Sequence, residues 1–407
     1  MRTTMATENN NKTLNVPNLR FPEFSGEWTK TKLGDIGTTL IGLTYSPKDV
    51  VPSGGTIVLR SSNIKGGLTD YNDIVRVNKK IKESIITRVD DLLICARNGS
   101  ARLIGKNAIL KQEDCGHTFG AFMMVYRAQN NKFVHQLLNT KRYYSQVGEN
   151  LGARINQITT SDLNSFEFYF PQTLNEQNKI ASMLSLLDDR IATQIKIIEK
   201  LESLIRGIVE THYSQCECIN QVRISELGEP FSTMNMSKED LSEEGNECIL
   251  YGELFTTYGC VIKEVKSRTH ISTNKATVSQ SNDLLFPAST TVDAMSLIAP
   301  SAICKEGVIL GGDLFGVHVN KNYNNEYLSY LINYIYKSKL ARYAQGSTII
   351  HLHYSDIKNA TLLLPTIEEQ NYLAHIMRVV EEKINIEKDM LSKLYSQKAY
   401  LLSNLFI

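Results

Sequence analysis

Apolar and polar positions follow two different patterns along this chain, and each pattern occurs twice. Residues 174–213 and 367–407 have apolar side chains at alternating spacings of four and three, the pattern of a long helix that packs against another helix. The stretches before and between these segments also show helical spacing at 132–146 and 325–345. They contain short β-branched and aromatic runs that predict strands, namely Thr56–Leu59, Leu92–Ile94 and Phe166–Phe170. We therefore predict an α+β domain followed by a long helix, twice over.

An internal repeat of about 193 residues accounts for this duplication. Asp91-Leu92-Leu93 recurs as Asp283-Leu284-Leu285. Residues 152–155 correspond to residues 346–349 at an offset of 194, and from Glu176 onward the offset is 193 up to the C-terminus. The repeat therefore covers both the domain and the helix that follows it.

The apolar seam of the first long helix recurs in the second. In the first helix it comprises Ile180, Leu184, Leu187, Ile191, Gln194, Ile198 and Leu201. Adding 193 to each number gives Leu373, Met377, Val380, Ile384, Glu387, Leu391 and Leu394. The polar exceptions, Gln194 and Glu387, are equivalent positions, where a buried polar group can set register and partner at a cost in stability. At a rise of about 1.5 Å per residue each helix is roughly 50 Å long. We predict a helix-pair interface along the seams; the alternative is that each helix packs only on its own domain.

Composition narrows the class of protein. Hydrophobic residues make up 42% of the 407 positions, which is typical of a globular chain. Because no apolar run approaches the roughly 18 residues of a membrane span and the first residues do not resemble a secretion signal, we expect a cytoplasmic protein without a membrane partner. The seven cysteines are irregularly spaced and odd in number, which favours reduced thiols.

Enzymatic signatures are missing from the sequence. The nearest candidate for a phosphate-binding loop, Gly99–Lys106, has five residues between its glycines and no following Ser or Thr. His351 and His353 have no Cys or carboxylate at zinc-like spacing, so we expect no metal site and no catalytic residue. Cys216 and Cys218 lack a second pair of ligands. A duplicated domain without catalytic motifs predicts a protein that binds two sites on one extended partner, for which DNA is the leading candidate.

Several short motifs, in their order along the chain, resemble those of one known family. Residues 16–24 and 26–28 are similar to the entry of a target-recognition domain, and residues 90–94 with 97–99 are similar to its central strand and loop. Phe170-Pro171 before Glu176-Gln177 resembles the junction with a spacer helix, and Leu364-Pro365 before Glu369-Gln370 repeats it. On these motifs the chain resembles, over nearly its whole length, the specificity subunit of type I restriction-modification systems.

The resemblance implies an α+β fold class, with tandem target-recognition domains separated by two long antiparallel coiled-coil helices. The expected boundaries are a disordered tail at 1–15, domain 1 at 16–173, spacer helix 1 at 174–213, domain 2 at 214–366 and spacer helix 2 at 367–407. It also implies binding to a two-part asymmetric sequence in double-stranded DNA, for adenine-N6 methylation or restriction. The expected partners are two methyltransferase subunits and two restriction endonuclease/translocase subunits. This chain itself would bind no cofactor, because S-adenosylmethionine, ATP and Mg belong to the partner subunits in this family.

Loop residues that donate or accept hydrogen bonds are the candidates for DNA contact, because Arg suits guanine and Asn or Gln suits adenine. In domain 1 they are Tyr45, Lys48, Arg60, Ser61, Asn63, Lys65, Arg97, Asn98, Ser100, Arg102, Arg154, Asn156 and Gln157. In domain 2 they are Lys275, Ser289, Thr290, Thr291, Ser347, Thr348, His351 and His353. Residues 14–172 carry 20 basic and 14 acidic side chains, whereas residues 213–366 carry 12 and 16. We therefore expect phosphate contacts in domain 2 to be local, or to be made by the partner subunits.

Two other classes of function remain as alternatives. One is a non-DNA structural adaptor, in which duplicated protein- or glycan-binding domains are carried on a coiled-coil stalk. The other is an enzyme that uses Asp90-Asp91 or Asp188-Asp189 as carboxylates. Asp90 has Asn282 at its repeat position, whereas a duplicated enzyme should repeat its catalytic residues. Salt-dependent binding to duplex DNA separates the DNA-binding function from the adaptor.

Overall fold

The computed structural model describes residues 2–3, 15–151, 156–215 and 220–407. The chain divides into two compact units: unit 1 is Met1–Gln194 with Met390–Ile407, and unit 2 is Ile195–Asp389. Each unit therefore holds one α+β domain, the first part of the long helix that follows it, and the last part of the other long helix. The predicted tail at 1–15 lies outside the described residues except for Arg2–Thr3 and residue 15, and Cys216 and Cys218 also lie outside them.

The strands of unit 1 are β1 (Arg2–Thr3), β2 (Leu19–Arg20), β3 (Thr29–Lys32), β4 (Gly37–Ile41), β5 (Val50–Val51), β6 (Thr56–Leu59), β7 (Ile64–Lys65), β8 (Leu68–Thr69), β9 (Val75–Val77), β10 (Leu92–Cys95), β11 (Asn107–Ile109), β12 (Thr118–Phe119), β13 (Met123–Ala128) and β14 (Glu167–Phe170). One antiparallel sheet has the order β11-β10-β13-β4, and a second has the order β12-β6-β9-β5, with β12 parallel to β6. The pairs β1-β2, β7-β8 and β14-β3 form separate two-stranded sheets. Apolar side chains of the two larger sheets, including Leu59, Leu93 and Phe119, form one core cluster.

The helices of unit 1 are α1 (Leu33–Ile36), α2 (Asn131–Leu137), α3 (Lys141–Leu151), α4 (Thr160–Ser165) and the first part of α5 (Leu174–Gln215). A second core cluster joins α2 to the long helices and contains Trp28, Phe133, Leu184 and Phe406. The single helix predicted at 132–146 is therefore two helices, α2 and α3. The break occurs because the hydroxyl of Thr140 donates to the Leu137 carbonyl and accepts from the amide of Tyr143, which starts a new helix.

The strands of unit 2 are β15 (Asn220–Arg223), β16 (Gly228–Ser232), β17 (Leu241–Ser242), β18 (Asn246–Leu250), β19 (Val261–Ile262), β20 (Ser267–Thr269), β21 (Asp283–Pro287), β22 (Ser289–Thr290), β23 (Ser301–Ile303), β24 (Ile309–Gly311), β25 (Leu314–Val319), β26 (Ile350–His351) and β27 (Thr361–Leu364). The sheets have the orders β16-β25-β21-β23-β19, β17-β20-β18-β24, β15-β27 and β22-β26. Its helices are α6 (Glu253–Thr256), α7 (Ala294–Leu297), α8 (Asn325–Leu331), α9 (Lys337–Ala341), α10 (Tyr354–Ile357) and the first part of α11 (Ile367–Leu405). A π-helical turn, Ile332–Tyr336, joins α8 to α9 within the helix predicted at 325–345.

The two units repeat the same connections between strands. Each central strand, β10 or β21, pairs antiparallel with β13 or β25, and each second sheet contains one parallel pair. A pair of Asn side chains also recurs. Asn130 precedes α2, accepts from the amide of the third residue of that helix, and donates to an Asn of α5. Asn324 does the same for α8 and α11. The next residues, Asn131 and Asn325, donate to backbone carbonyls of the central sheet, those of Tyr126 and Asp283. The predicted duplicated α+β fold is confirmed.

The long helices run in opposite directions within each unit. In unit 1, Lys398 near the end of α11 forms a 2.6 Å ion pair with Asp188 near the start of α5. In unit 2, Lys388 pairs with Glu202 at 3.0 Å. All fourteen predicted seam residues are at least half-buried, and Ile180, Leu184, Leu373 and Met377 are almost fully buried. The polar seam residues Gln194 and Glu387 are buried as well, 5% and 7% exposed.

Candidate nucleic-acid interface

Three segments of unit 1 meet at one end of the sheet, just beyond the last residue of β10. The backbone amides of Ala96 and Arg97 donate to the carbonyl of Phe122, which precedes β13. The amide of Ile158 donates to the Ala96 carbonyl, and Arg97 and Gln157 form an isolated antiparallel bridge. We call Arg97, Phe122 and Gln157 rim 1. The sheet hydrogen bonds hold the backbone of all three residues in place.

Arg97 and Phe122 of rim 1 are exposed to solvent, and Gln157 is half-buried. Phe122 is 59% exposed, although it is a large apolar residue, and the guanidinium of Arg97 lies over its ring at 5.2 Å from the centroid. Loops beside rim 1 are held by side chains: Asn98 donates to the Ser61 hydroxyl at 2.9 Å, and Asn156 donates to the Gly99 carbonyl at 2.9 Å. Asn156 has a φ of 51°, a conformation that Asn tolerates better than most residues.

Unit 2 builds the same arrangement from different residues. The amide of Ala288 donates to the Asp313 carbonyl at 2.8 Å, and the amide of Leu352 donates to the Ala288 carbonyl at 2.9 Å. Ser289 pairs with His351 where β22 meets β26. We call Ser289, Asp313 and His351 rim 2. Its three positions are therefore structurally equivalent to those of Arg97, Phe122 and Gln157.

Rim 2 is polar where rim 1 is aromatic and basic. The His351 Nδ1 and Asp313 Oδ2 atoms are 4.0 Å apart, and each side chain is almost half exposed. The His353 ring lies nearly parallel to that of His351, with centroids 6.2 Å apart. Ser289 is buried, and the hydroxyl of the half-buried Thr290 accepts from the amide of Val292. The structure thus brings Ser289, Thr290, His351 and His353 together, while Thr291, Ser347 and Thr348 are exposed on the adjoining loops.

Other candidate residues have different environments. Asn63 is 1% exposed, and its side-chain amide donates to the carbonyls of Asp70 and Asp73. It therefore holds a turn in place and is not available for the DNA contact predicted for it. Arg60 and Lys65 form ion pairs with Asp73 and Asp70. Lys48, Ser100 and Arg102 are exposed, and Tyr45 is half-buried. Lys275 is exposed and shares no hydrogen bond with the described residues of rim 2. Arg154 lies outside the described residues.

Phe122 was missed by the sequence analysis, which considered hydrogen-bonding residues only. Its signal was an aromatic residue in a Gly-Ala turn directly after Phe119, where an apolar side chain has no sheet to pack on. The equivalence of Phe122 and Asp313 is visible in the backbone hydrogen bonds and not in the residue types.

The carboxylates considered for an enzyme are engaged in structural contacts. Both oxygens of Asp91 are bound by Arg127 at 2.7 Å, and the Asp90 carboxylate pairs with Lys132 at 3.6 Å. Asp188 is bound by Lys398 and Gln136. Asp189 pairs with Lys111 at 3.6 Å. Within the described ranges, no three potential metal ligands converge, and no helix has the length and apolar character to span a membrane.

At the other end of the central strands, each unit has a buried Asp that contacts a basic side chain. Asp91 pairs with Arg127 in unit 1, and Asp283 pairs with His318 Nδ1 at 2.6 Å in unit 2. Burial raises the pKa of Asp283, against the opposing effects of the Gln280 amide and His318. These pairs fix the start of β10 and β21 and lie away from the rims.

Comparison with known proteins identifies the family. Residues 25–203 and 219–395 each match the type I restriction modification DNA specificity domain. A Methanocaldococcus jannaschii protein, named provisionally as the type I restriction enzyme MjaX specificity subunit, is 24% identical over 91% of both chains. The StySPI specificity subunit of Salmonella potsdam is 24% identical over 44% of this chain and 40% of that protein.

Solved structures agree on the fold. The type I restriction-modification S subunit from M. genitalium superposes with a TM-score of 0.62 at 16% identity, covering 96% of this chain and 99% of that one. These matches confirm the predicted family and its classification as a non-catalytic subunit. The chain therefore belongs to the family of type I restriction-modification specificity subunits, with one DNA specificity domain in each half.

Proposed function

We propose that this chain recognises a two-part asymmetric DNA sequence, with rim 1 contacting one half-site and rim 2 the other. The observation that carries the proposal is the equivalence of the two rims: the same backbone hydrogen bonds present Arg97, Phe122 and Gln157 in unit 1 but Ser289, Asp313 and His351 in unit 2. Equivalent frames with different side chains suit two different short sequences. The proposed domain boundaries are 16–173 and 214–366.

Methylome sequencing tests this function directly. The chain and its neighbouring methyltransferase subunit are expressed in a host that lacks adenine methylation, and the control host expresses the methyltransferase subunit alone. We expect a two-part N6-methyladenine motif that disappears when this chain is omitted. A purified, stable complex that produces no such motif would contradict the proposal and favour the adaptor.

The long helices carry exposed apolar residues that suit the docking of partner subunits. Leu186 on α5 is 71% exposed in unit 1, and Val379, its repeat equivalent on α11, is 52% exposed in unit 2. Unit 1 also exposes Met390, Tyr395 and Tyr400, and unit 2 exposes Ile197, Leu204, Tyr372 and Ile386. Large apolar side chains grouped on a surface mark interaction sites. We infer that two methyltransferase subunits cover these residues, one for each repeat.

Introducing charges at these residues separates docking from folding. Leu186→Asp with Val379→Asp should reduce co-purification of the methyltransferase subunit, because each introduces a charge into an apolar contact. The control is Ser203→Asp with Ser396→Asp, two exposed serines that are also 193 residues apart. Equal co-purification of both double variants would refute this docking surface.

The chemistry of methylation and restriction then belongs to the partners. We propose that S-adenosylmethionine is bound by the methyltransferase subunits, and that ATP and Mg are used by two endonuclease/translocase subunits that join the complex. The proposed location is the cytoplasm, where these partners and their DNA substrate meet.

A further inference from the structure

We propose that the rim positions determine which bases are recognised, with a guanine contacted by Arg97 in the first half-site and a cytosine contacted by Asp313 in the second. This inference rests on the proposed function and assigns base identities to it. It follows from three observations: the equivalent backbone frames, the exposure of Arg97, Phe122 and Asp313, and the chemistry of each rim.

The backbone hydrogen bonds at the rims show which residue of unit 1 corresponds to which residue of unit 2. Ala96 and Ala288 each donate to the carbonyl that precedes β13 or β25, and each accepts from the segment before α4 or α10. Phe122 and Asp313 supply that carbonyl. Because these hydrogen bonds use only backbone atoms, the three side chains at each rim can change without loss of the frame. Positions of this kind are where duplicated domains can acquire different specificities.

Rim 1 presents an arginine in a prepared position. The guanidinium of Arg97 rests on the Phe122 ring and forms no hydrogen bond or ion pair with any described residue. An arginine held by a ring has fewer conformations to lose on binding, and its planar fork matches the O6 and N7 acceptors of guanine. The exposed edge of Phe122 is also suited to apolar contact with a thymine methyl group. Gln157 stands beside them as an amide donor and acceptor.

Rim 2 presents an acceptor instead. Asp313 is 45% exposed, and the His351 Nδ1 atom lies 4.0 Å from its Oδ2 atom. A carboxylate on a DNA-binding surface is repelled by phosphates, so its favourable role is to accept from the N4 amino group of cytosine. His351 lies beside this acceptor, and the His353 ring lies nearly parallel to that of His351, so both rings can donate to adjacent base edges or phosphates.

Single substitutions test each assignment against the methylation motif. Arg97→Ala should reduce discrimination for guanine at one position of the first half-site by roughly 10- to 100-fold, and leave the second half-site unchanged. Asp313→Asn should relax discrimination for cytosine in the second half-site only. Phe122→Ala should weaken the same guanine preference as Arg97→Ala, because it removes the surface that positions the guanidinium.

Arg97→Lys distinguishes base contact from phosphate contact. Lysine keeps the charge but loses the two-pronged donor geometry, so we expect guanine discrimination to fall with it as well. A matched control is Val89→Ala, because Val89 is also exposed, 51%, but precedes the opposite end of β10. Recovery of each variant complex in the same yield as wild type verifies that the variant chain is folded.

The outcomes separate this inference from the function on which it rests. If wild type yields no two-part motif, the proposed function fails. If wild type yields a motif in which either half-site specifies no G·C pair, or if Arg97→Lys retains full discrimination, then the rim assignment fails while the proposed function stands.

Discussion

Glu176 joins the first residues of unit 1 to the start of α5, and its neutralisation should destabilise that unit. Its side chain is 2% exposed. The Arg20 Nε and Nη2 atoms donate to its two oxygens at 2.7 and 2.9 Å, and the Trp28 indole donates at 3.3 Å. In Glu176→Gln, one of these oxygens becomes an amide nitrogen that opposes the guanidinium donors.

The expected cost follows from the burial of both partners. Arg20 is only 12% exposed, so its charge would remain desolvated without the carboxylate that balances it. Breaking a buried ion pair from one side costs about 3–5 kcal/mol. Arg20 keeps its bonds to the carbonyls of Ser25 and Gly26, and the introduced amide keeps one acceptor oxygen, so we expect the lower value, about 3 kcal/mol.

Urea unfolding followed by tryptophan fluorescence measures this cost in unit 1. Trp28 is the one tryptophan of the chain, and it contacts Glu176 directly. With a slope of about 3 kcal/mol per molar urea, the midpoint should fall by about 1 M. The midpoint is the relevant quantity, because the substitution changes the fluorescence amplitude as well.

The control makes the same chemical change at an exposed ion pair of the same unit. Glu23 pairs with Lys179, and both side chains are almost half exposed, so Glu23→Gln should leave the midpoint unchanged. If Glu176→Gln behaved like Glu23→Gln, the reasoning from burial would be refuted.

Three further predictions concern other buried contacts. Phe406→Ala should destabilise unit 1 by about 3–5 kcal/mol in the same urea assay, because the ring contacts Phe133 and Trp28. The control is Tyr400→Ala, since Tyr400 is exposed. Equal urea midpoints for the two variants would contradict the packing argument. Burial lowers the pKa of His135 to about 4; Lys398 adds to this effect and Asp188 opposes it. Between about pH 6.5 and 4, the unfolded chain therefore binds a proton at His135 that the folded chain does not. The free energy of unfolding of unit 1 should therefore fall by up to about 3 kcal/mol as the pH drops through this range. In His135→Leu this free energy should depend less on pH. An unchanged pH dependence would show that His135 is not its cause. Tyr330→Phe should lower hydrogen-exchange protection in unit 2 by the equivalent of about 1–3 kcal/mol. The Tyr330 hydroxyl donates to the half-buried Glu381 at 2.6 Å, and burial raises the pKa of that carboxyl. Protection equal to that of wild type would contradict this prediction.

Local periodicity was enough to predict the duplicated α+β fold and the long helices. Seam spacings of four and three are a property of consecutive residues, so they identify α5 and α11 without any knowledge of distant contacts. The repeat then located equivalent residues in both halves: Gln194 and Glu387 are both buried, and Asp91 and Asp283 are both buried beside a basic side chain.

The tertiary structure decided which of the equivalent polar residues are buried, paired or exposed. Glu176 and Glu369 are repeat equivalents, yet Glu176 is buried against Arg20 and Trp28 whereas Glu369 accepts from Thr366 of its own helix cap. The sequence places Asn63 in a loop, but in the structure its side chain is buried and donates to the carbonyls of Asp70 and Asp73.

The sequence by itself determined the long helices, because these depend on spacing within a few turns of chain, and it determined the repeat and the class, because these depend on the order of residues in the two halves. Only the tertiary structure decided that Arg97, Phe122 and Gln157 meet at one rim and that Phe122 and Asp313 are equivalent. Those relations depend on hydrogen bonds between segments that are far apart in the chain, such as that from Ile158 to Ala96. Contacts over such separations leave no periodic trace in the order of residue types, so they become visible only once the chain is folded.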